Sequence, residues 1–403
     1  MEFPYDDEGL QTTTSTTQQE CEETCFSCLQ DNLKSHHHLF RDMHADFCRK
    51  GLERLPRGFV SLDASRPWLC YWMLHSLCLL AELPGTALLD RVVNTLKRYQ
   101  NPQTGGFGGG SHQLSHCAPT YSACLALLTV GTTEAYGIID RKKMYKFFLS
   151  MKAPCGGFRM HDDGEIDVRA TYTVLAVSSL LNIMTPELTK GTAEWVCSCQ
   201  TYEGGFGGEP FNEAHGGYAF CGFAALLILG KTDMADTRGL LKWICRRQMI
   251  QEGGFQGRTN KLVDACYSFW QGSIPAMLAL ATDFKFSAKE MQKEETAKLE
   301  DAQILGDLLT DQVALQEYLL LCCQQRDGGL KDKPGKYRDH YHTCYALSGL
   351  SIAQNFGKPV VFEGDEANRL LPSHPIYNIR EDKLNQAKEH FQALPSDHRS
   401  LVS

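Results

Sequence analysis

No run of eighteen consecutive apolar residues occurs in this 403-residue chain, so no membrane-spanning helix is expected. Positive charge is in deficit: 40 lysines and arginines stand against 48 aspartates and glutamates, a net charge of −8. A surface of that sign does not invite nucleic acid, and any anion site must be a local basic cluster. The phosphate loop GxxxxGK[ST] is missing, which removes the usual cradle for a nucleoside triphosphate. The opening MEFPYDDEGLQTTTSTTQQE lacks the basic and apolar regions of a signal peptide. Cysteine, by contrast, is plentiful. There are 17, an odd number at irregular spacing. They are expected to be reduced thiols in the cytosol, mostly small buried hydrophobes.

What is present is a repeat. A Gly-Gly-aromatic turn recurs at Gly105, Gly156, Gly204 and Gly253, with a weaker GGL at Gly328. A tyrosine follows each turn, at Tyr121, Tyr172, Tyr218, Tyr267 and Tyr345. Between turns, very apolar segments such as GYAFCGFAALLILG alternate with amphipathic ones such as DTRGLLKWICRRQ. A helix apolar on nearly all faces is a buried helix. One buried and one half-exposed helix per repeat predicts an all-α fold, an α/α barrel with inner and outer rings. An open solenoid is the rival. The composition predicts a disordered polar leader over 1–37, a barrel over 38–381 with a charged surface excursion near 286–310, and a polar tail over 382–403.

The loops and inner-helix starts fall at one end of such a barrel. Asp264 and Cys266 stand at one start, and His342 at the corresponding start of the last repeat. Asp, Cys and His suit zinc, and three protein donors leave a catalytic fourth position open. Spacing alone leaves this unsettled, because a D-x-C pair is common by chance and a lone histidine more often serves as a core or surface polar group. Arg258 and Lys261 precede the pair, His215 opens the third inner helix, and Arg169 opens the second. Any one of these would ordinarily be a solvated charge; four in register suit a diphosphate. Trp68 and Trp72 share a helix face at i, i+4. With Tyr172, Tyr218, Tyr267 and Trp270 they read either as core or as walls of a pocket for an apolar tail with a charged head.

Longer motifs carry a resemblance. LDASRPWLCYW, the GGFGG repeats, EAHGGYAFCG, GGFQGRTNKLVDACYSFW and DKPGKYRDHYHTCYALSGLSIAQ resemble the β subunits of protein farnesyltransferases, over roughly residues 51–382. The resemblance implies a catalytic zinc and a heterodimer with a helical-repeat α subunit that lends a lysine. It also implies transfer of a C15 group from farnesyl diphosphate to the cysteine of CaaX-terminated proteins. It implies Asp264, Cys266 and His342 as zinc ligands, with Asp339 behind them. His215, Gly217, Tyr218, Cys221, Arg258, Lys261, Tyr267 and Trp270, with Arg169 and Tyr172, are implied as farnesyl diphosphate contacts. Trp68, Trp72, His116, Ala118 and Tyr341 are implied on the peptide side, and Asp332 as a magnesium contact. The geranylgeranyltransferase β subunits are similar as well. A bulky Trp68, where the type I relative carries a small residue, is expected to close the cavity at C15. Tyr345, a Phe in that relative, and Asp332, a Lys there, point the same way. His340 departs from the farnesyl pattern.

Two readings of other classes compete. Cys21, Cys25 and Cys28 have the C-x3-C-x2-C spacing of iron–sulfur radical enzymes, but they stand in a polar leader rather than after a first strand. A non-catalytic repeat scaffold is the other, and the aligned Asp, Cys, His and basic groups argue against it.

Overall fold

The computed structural model describes residues 10–32, 38–281, 310–356, 361–362, 365–396 and 401. The excursion expected over 286–310 lies, apart from Thr310, outside them. Among the described residues, six helical segments form an inner ring: Arg66–Leu79, Cys117–Val130, Val168–Leu180, Gly216–Leu229, Tyr267–Trp270 with Ile274–Leu280, and His340–Asn355. Each packs on the next, and the last packs on the first. The ring is therefore closed, and the open solenoid is excluded. The outer layer is Arg41–Glu53, Thr86–Lys97, Arg141–Met151, Thr192–Ser198, Thr237–Cys245 and Gln312–Glu317, the last continued by a π-helical turn Tyr318–Cys323. Inner helices are apolar all round because both sides are covered. In Cys117–Val130 every residue but Ala118 is buried.

The glycine turn joins the layers. Its first glycine adopts a left-handed φ, +94° at Gly328. A Cβ there would lie 2.1 Å from the Met43 carbonyl oxygen, in the first outer helix. The contact of Gly328 with Met43 thus joins the last repeat to the first. The third residue of each turn (Phe107, Phe158, Phe206, Phe255, Leu330) is fully buried and bridges back to a residue one to three positions past the end of the preceding outer helix.

A second device links neighbours at the mouth. At five of the six inner-helix starts a backbone N–H donates to a loop carbonyl of the next repeat. The pairs are Arg66 to Gly109 (2.9 Å), Cys117 to Met160 (2.7 Å), Val168 to Gly208 (2.9 Å), Gly216 to Gly257 (2.8 Å) and Ala265 to Asp332 (2.9 Å). Every acceptor is the fourth residue after the first glycine of its turn. His340 sits at the sixth seam. It is buried and stacks on Phe47 at 4.3 Å, so its departure from an aromatic keeps a flat ring there.

The far end of the bore is closed by the segment Ser373–Arg380. Its carbonyls accept from Tyr71 Oη (Asn378, 2.6 Å), Tyr172 Oη (Ile376, 2.7 Å) and Tyr121 Oη (Tyr377, 3.3 Å).

Both ends of the chain differ from expectation. The leader contains a helix, Thr13–Asn32, that packs on the turn Tyr318–Cys323. Its apolar stripe is narrow and made of Cys21 and Cys25, both buried, with Cys28 half-buried; a polar composition hides such a stripe. The tail contains the helix Glu381–Gln392, which buries Leu384, Ala387 and Phe391 against the inner helices Cys117–Val130 and Val168–Leu180.

The leader helix also buries carboxyl groups. Gln18 Nε2 donates to Glu22 Oε1 and to Glu252 Oε1, each at 2.9 Å. Glu252 is 1% exposed, and burial raises its pKa to about 7 against the Gln18 hydrogen bond.

Two outcomes follow for stability. Gly328→Ala meets both a left-handed φ and the Met43 carbonyl, so it should cost roughly 2–4 kcal/mol in thermal or denaturant unfolding. Gly335→Ala, also at positive φ but with nothing within 4 Å, should cost only about 1 kcal/mol. Equal costs would refute the close-packing account. Glu252 holds its proton more tightly folded than unfolded. Its stabilisation is present below about 4.5 and is lost as pH rises to about 7. Glu252→Gln should therefore gain stability on wild type across that window, and a constant difference from acid to alkaline pH would count against it.

Candidate active site

The mouth is built from helix caps. A helix leaves its first N–H groups unsatisfied, and a side chain just before it can accept from them. Five inner-helix starts use this. His116 Nδ1 accepts from Ala118 N (3.1 Å), Asp167 Oδ1 from Arg169 N (2.8 Å) and His215 Nδ1 from Gly217 N (3.1 Å). Asp264 Oδ1 accepts from Cys266 N (2.8 Å) and Asp339 Oδ1 from His342 N (2.7 Å). The remaining polar atoms of these caps face the mouth. An Nδ1 that accepts leaves the proton on Nε2, and His215 Nε2 stands 2.9 Å from Tyr267 Oη.

One cap, Asp264, and two helix-start neighbours, Cys266 and His342, form a set that could hold a metal ion. The donor atoms of Asp264, Cys266 and His342 lie within 4.8 Å of one another. His342 Nε2 is 3.3 Å from Asp264 Oδ1, while its Nδ1 is 2.6 Å from Asp339 Oδ2. Asp339 thus caps the helix with one oxygen and orients the imidazole with the other. Burial disfavours the imidazolium of His342, yet hydrogen bonds to Asp264 and Asp339 raise its pKa to about 10. Burial and the charge of Asp264 push the Cys266 thiol well up. Excess carboxylate around one imidazole and one buried thiol is a donor set that a divalent cation would satisfy. Asp332 adjoins it. Its carbonyl accepts from Ala265 N between the two sequence-adjacent donors. Its carboxylate is held by Lys333, and burial followed by the charge of Asp264 raises its pKa.

The basic residues sit around His215. Burial first, then the charge of Arg258, lowers its pKa, with Glu213, Arg169 and Asp264 also acting on it. The groups therefore converge. Arg258 Nη1 pairs with Glu213 Oε2 at 2.8 Å. Arg169 pairs with Asp167 and lies 5.6 Å over the ring of Tyr218. Lys261 lies to one side, on the wall of a groove of about 1130 Å³ between residues 10–19 and the loop 256–262.

Below the collar the bore is lined by a closed circuit of aromatic rings. Trp68 contacts Tyr121 (5.7 Å), Tyr121 contacts Tyr172 (5.5 Å), and Tyr172 contacts Phe220 (5.2 Å). Phe220 contacts Trp270 (5.1 Å), Trp270 contacts Tyr345 (4.3 Å), and Tyr345 contacts Tyr341 (4.8 Å). Tyr341 contacts Trp72 (5.5 Å), which returns to Trp68 (5.7 Å). Every inner helix contributes. Tyr341 Oη accepts from Trp270 Nε1 at 3.1 Å, and its ring lies 5.0 Å from His342. The aromatic wall thus reaches the metal-ligand set.

The tyrosine register divides in two. Tyr121, Tyr172 and Tyr345 line the bore. Tyr218 and Tyr267 fall two to three residues earlier in the repeat, at the collar beside His215. Phe220 and Trp270 take the bore positions in those repeats. Sequence reasoning missed Phe220 as a wall residue, although its offset from Gly204 matches that of Tyr121 from Gly105. It also missed Ile376 and Tyr377, which belong to no repeat. His116 lies across the mouth, its ring 5.1 Å from His161. Ala118 packs half-buried beside it and Cys221 is buried beneath the collar.

A closed toroid of paired helices with a polar mouth and an aromatic bore defines a class. Residues 39–379 match the prenyltransferase alpha-alpha toroid domain. The chain is 44% identical over 377 residues to protein farnesyltransferase subunit beta of Pisum sativum, covering 82% of this chain and 90% of that protein. It is 43% identical over 398 residues to the Arabidopsis thaliana protein of the same name, covering 87% and 82%. A solved structure, Candida albicans protein geranylgeranyltransferase-I complexed with GGPP, matches with a TM-score of 0.69 at 22% identity, covering 88% of this chain and 99% of that one. That likeness bears on the fold alone. The chain belongs to the protein farnesyltransferase β-subunit family, and it is a protein prenyltransferase chain. No described helix is long and apolar enough to cross a membrane.

Proposed function

We propose that this chain is the β subunit of a zinc-dependent protein farnesyltransferase. With an α subunit it transfers a farnesyl group from farnesyl diphosphate to the cysteine of a C-terminal CaaX sequence. The observation that carries this reading is a juxtaposition: the Asp264–Cys266–His342 set meets the aromatic bore at Tyr341, with the basic group around His215 beside both.

Each part has a role. Asp264, Cys266 and His342 Nε2 would hold zinc, with Asp339 fixing the imidazole from behind. Zinc bound there would supply a positive centre that favours an ionised substrate thiol near neutral pH. Arg258, Lys261, Arg169, His215 and Tyr267 bind the diphosphate and stabilise charge as it leaves. Arg258 and Arg169 are held by carboxylates until then, so they are pre-positioned rather than searching. The Asp332 carboxylate is the candidate magnesium contact, once released by Lys333. The aromatic circuit takes the isoprenoid, and its π faces accommodate partial positive charge on the allylic carbon. Gly217 and Tyr218 line the diphosphate side, while Cys221 beneath the collar and Tyr172 in the bore wall contact the isoprenoid. Trp72, His116 and Ala118 face the peptide.

Trp68 sets the tail length. It closes the circuit between Trp72 and Tyr121, and Tyr121 is tied to the floor at Tyr377. Removing the indole opens room for one more isoprene unit.

The deciding experiment uses the chain co-expressed with an α subunit. Labelled farnesyl or geranylgeranyl diphosphate is offered with a CaaX peptide, before and after zinc removal. Zinc-dependent C15 transfer is expected. Transfer of C20 instead would overturn the Trp68 argument and keep the fold and metal; no transfer of either would overturn the enzymatic reading. Trp68→Thr should raise the C20-to-C15 ratio of kcat/KM by at least about tenfold, since one or two methylene-sized units in a pocket discriminate by about that factor. Cys266→Ala should lose zinc, measured by atomic absorption, together with activity. One equivalent of zinc retained in that variant would refute the ligand assignment.

A further inference from the structure

Five cysteines meet where the N-terminal helix docks. Cys21, Cys25 and Cys28 follow at i, i+4 and i+7 on one face of Thr13–Asn32, the face that packs on the turn Tyr318–Cys323. Across the seam stand Cys322 and Cys323, both buried. Cys322 Sγ lies 3.8 Å from the Cys25 carbonyl oxygen, and the Cys322 side chain is hydrogen-bonded to those of both Cys25 and Cys28. All of these cysteines stand as thiols. Among the described residues the three-donor metal cluster is Asp264, Cys266 and His342, so the sulfurs here do not assemble as a metal site.

The members differ in character. Cys21, Cys25, Cys322 and Cys323 are buried, whereas Cys28 is partly exposed. The hydrogen bond from Cys322, with help from the charge of Lys331, lowers Cys28 to about 7 against burial. The hydrogen bond with Cys25, then burial, pushes Cys21 up, and Cys25 is raised against its bond with Cys21 by Cys322 and by burial. A reachable, ionisable thiol next to a buried partner is the arrangement of an oxidisable pair, because the thiolate is the nucleophile and the neighbour resolves it.

We propose that Cys28 and Cys322 form a peroxide-driven disulfide that fastens the N-terminal helix to the barrel behind the metal-ligand loop. In the first step the Cys28 thiolate attacks hydrogen peroxide. An S–O bond forms, the O–O bond breaks, and hydroxide leaves as water, giving a sulfenic acid. Cys322 sulfur then attacks that sulfur. The S–S bond forms, the S–O bond breaks, and the departing oxygen takes the Cys322 proton as a second water. The two thiols lose two electrons and peroxide gains them.

The tether would act on a sensitive place. Cys323 Sγ is 3.7 Å and Tyr318 Oη 2.8 Å from the Asp332 carbonyl, the same oxygen that accepts from Ala265 N. The helix also reaches Glu252 through Gln18, in the loop that leads to Arg258. One covalent bond at Cys322 would pin the seam that supports both.

The test uses full-length protein as it purifies from cells. It is treated with graded hydrogen peroxide, alkylated, and digested with trypsin without reduction. The expected product links peptide 1–34 to peptide 299–326, with two hydrogens lost and fragment ions placing the bond between Cys28 and Cys322. Cys28→Ser should abolish the link. Cys322→Ser should leave Cys28 as a sulfenic acid that dimedone captures. A bond mapped to Cys25–Cys322 or within residues 21–28 would overturn the proposal. So would the absence of any link at peroxide doses that oxidise the exposed Cys155.

Discussion

One hydrogen bond, made five times, organises the functional end of this molecule. The amide at each of five inner-helix starts donates to the carbonyl four residues beyond the next turn's first glycine. That bond fixes three things at once. It satisfies an amide that a helix start leaves open. It sets the height of each loop against the neighbouring helix. It also forces the residue at the helix start to the rim of the bore. Where the repeat reaches Ala265 and Asp332, the same bond places Asp264 on one side and Cys266 on the other. The metal-ligand set is thus an ordinary repeat junction carrying unusual side chains.

The chemistry of the end follows from its backbone. Inner helices of thirteen to sixteen residues, such as Val168–Leu180 and His340–Asn355, present their N-termini to a common mouth. Their dipoles favour negative charge there. The caps nonetheless include three aspartates, Asp167, Asp264 and Asp339. Three acidic caps would repel any incoming anion if they stood free. Instead Asp167 is bound to Arg169, and Asp264 and Asp339 share His342. Each carboxylate is committed sideways to a basic or metal-ligating neighbour. The axial space is left to Arg258 and the His215–Tyr267 pair, with Lys261 to one side. Immediately below, the aromatic circuit is apolar, so charge and tail are separated along one axis.

The sequence made the inner architecture legible because a repeat reports its own register. The glycine turns, the apolar inner segments and the alignment of Asp264, Cys266 and His342 with helix starts were all readable, since each reflects a position that recurs. What belongs to no repeat was not readable. Ile376 and Tyr377 close the bore from a connecting segment, and nothing in SHPIYNI marks it as a floor. Phe220 was obscured by Tyr218, whose hydroxyl drew the register to the collar. The helix Glu381–Gln392 shows only Leu384, Ala387 and Phe391 among polar residues, a stripe too sparse to outweigh its composition. Lys261 was grouped with the other cations by sequence proximity to Arg258, yet its wall also faces residues 10–19, a contact no local pattern contains.

The N-terminal helix was the largest surprise, and its cause is physical. The Thr-, Gln- and Glu-rich composition around them outweighs three cysteines, so a stripe of Cys21, Cys25 and Cys28 looks like polar leader. In the folded chain those sulfurs supply the apolar contact that leucines would supply elsewhere. They dock on a π-helical turn, a geometry that commonly marks functional sites because it displaces side chains from the regular helical register. Here the turn carries Tyr318 and Cys323 to the Asp332 carbonyl. The choice of cysteine over leucine on the docking face therefore matters chemically as well as sterically. Small side chains let the leader approach a turn whose backbone is already committed to the metal-ligand loop, and they leave sulfur, rather than inert hydrocarbon, at the contact.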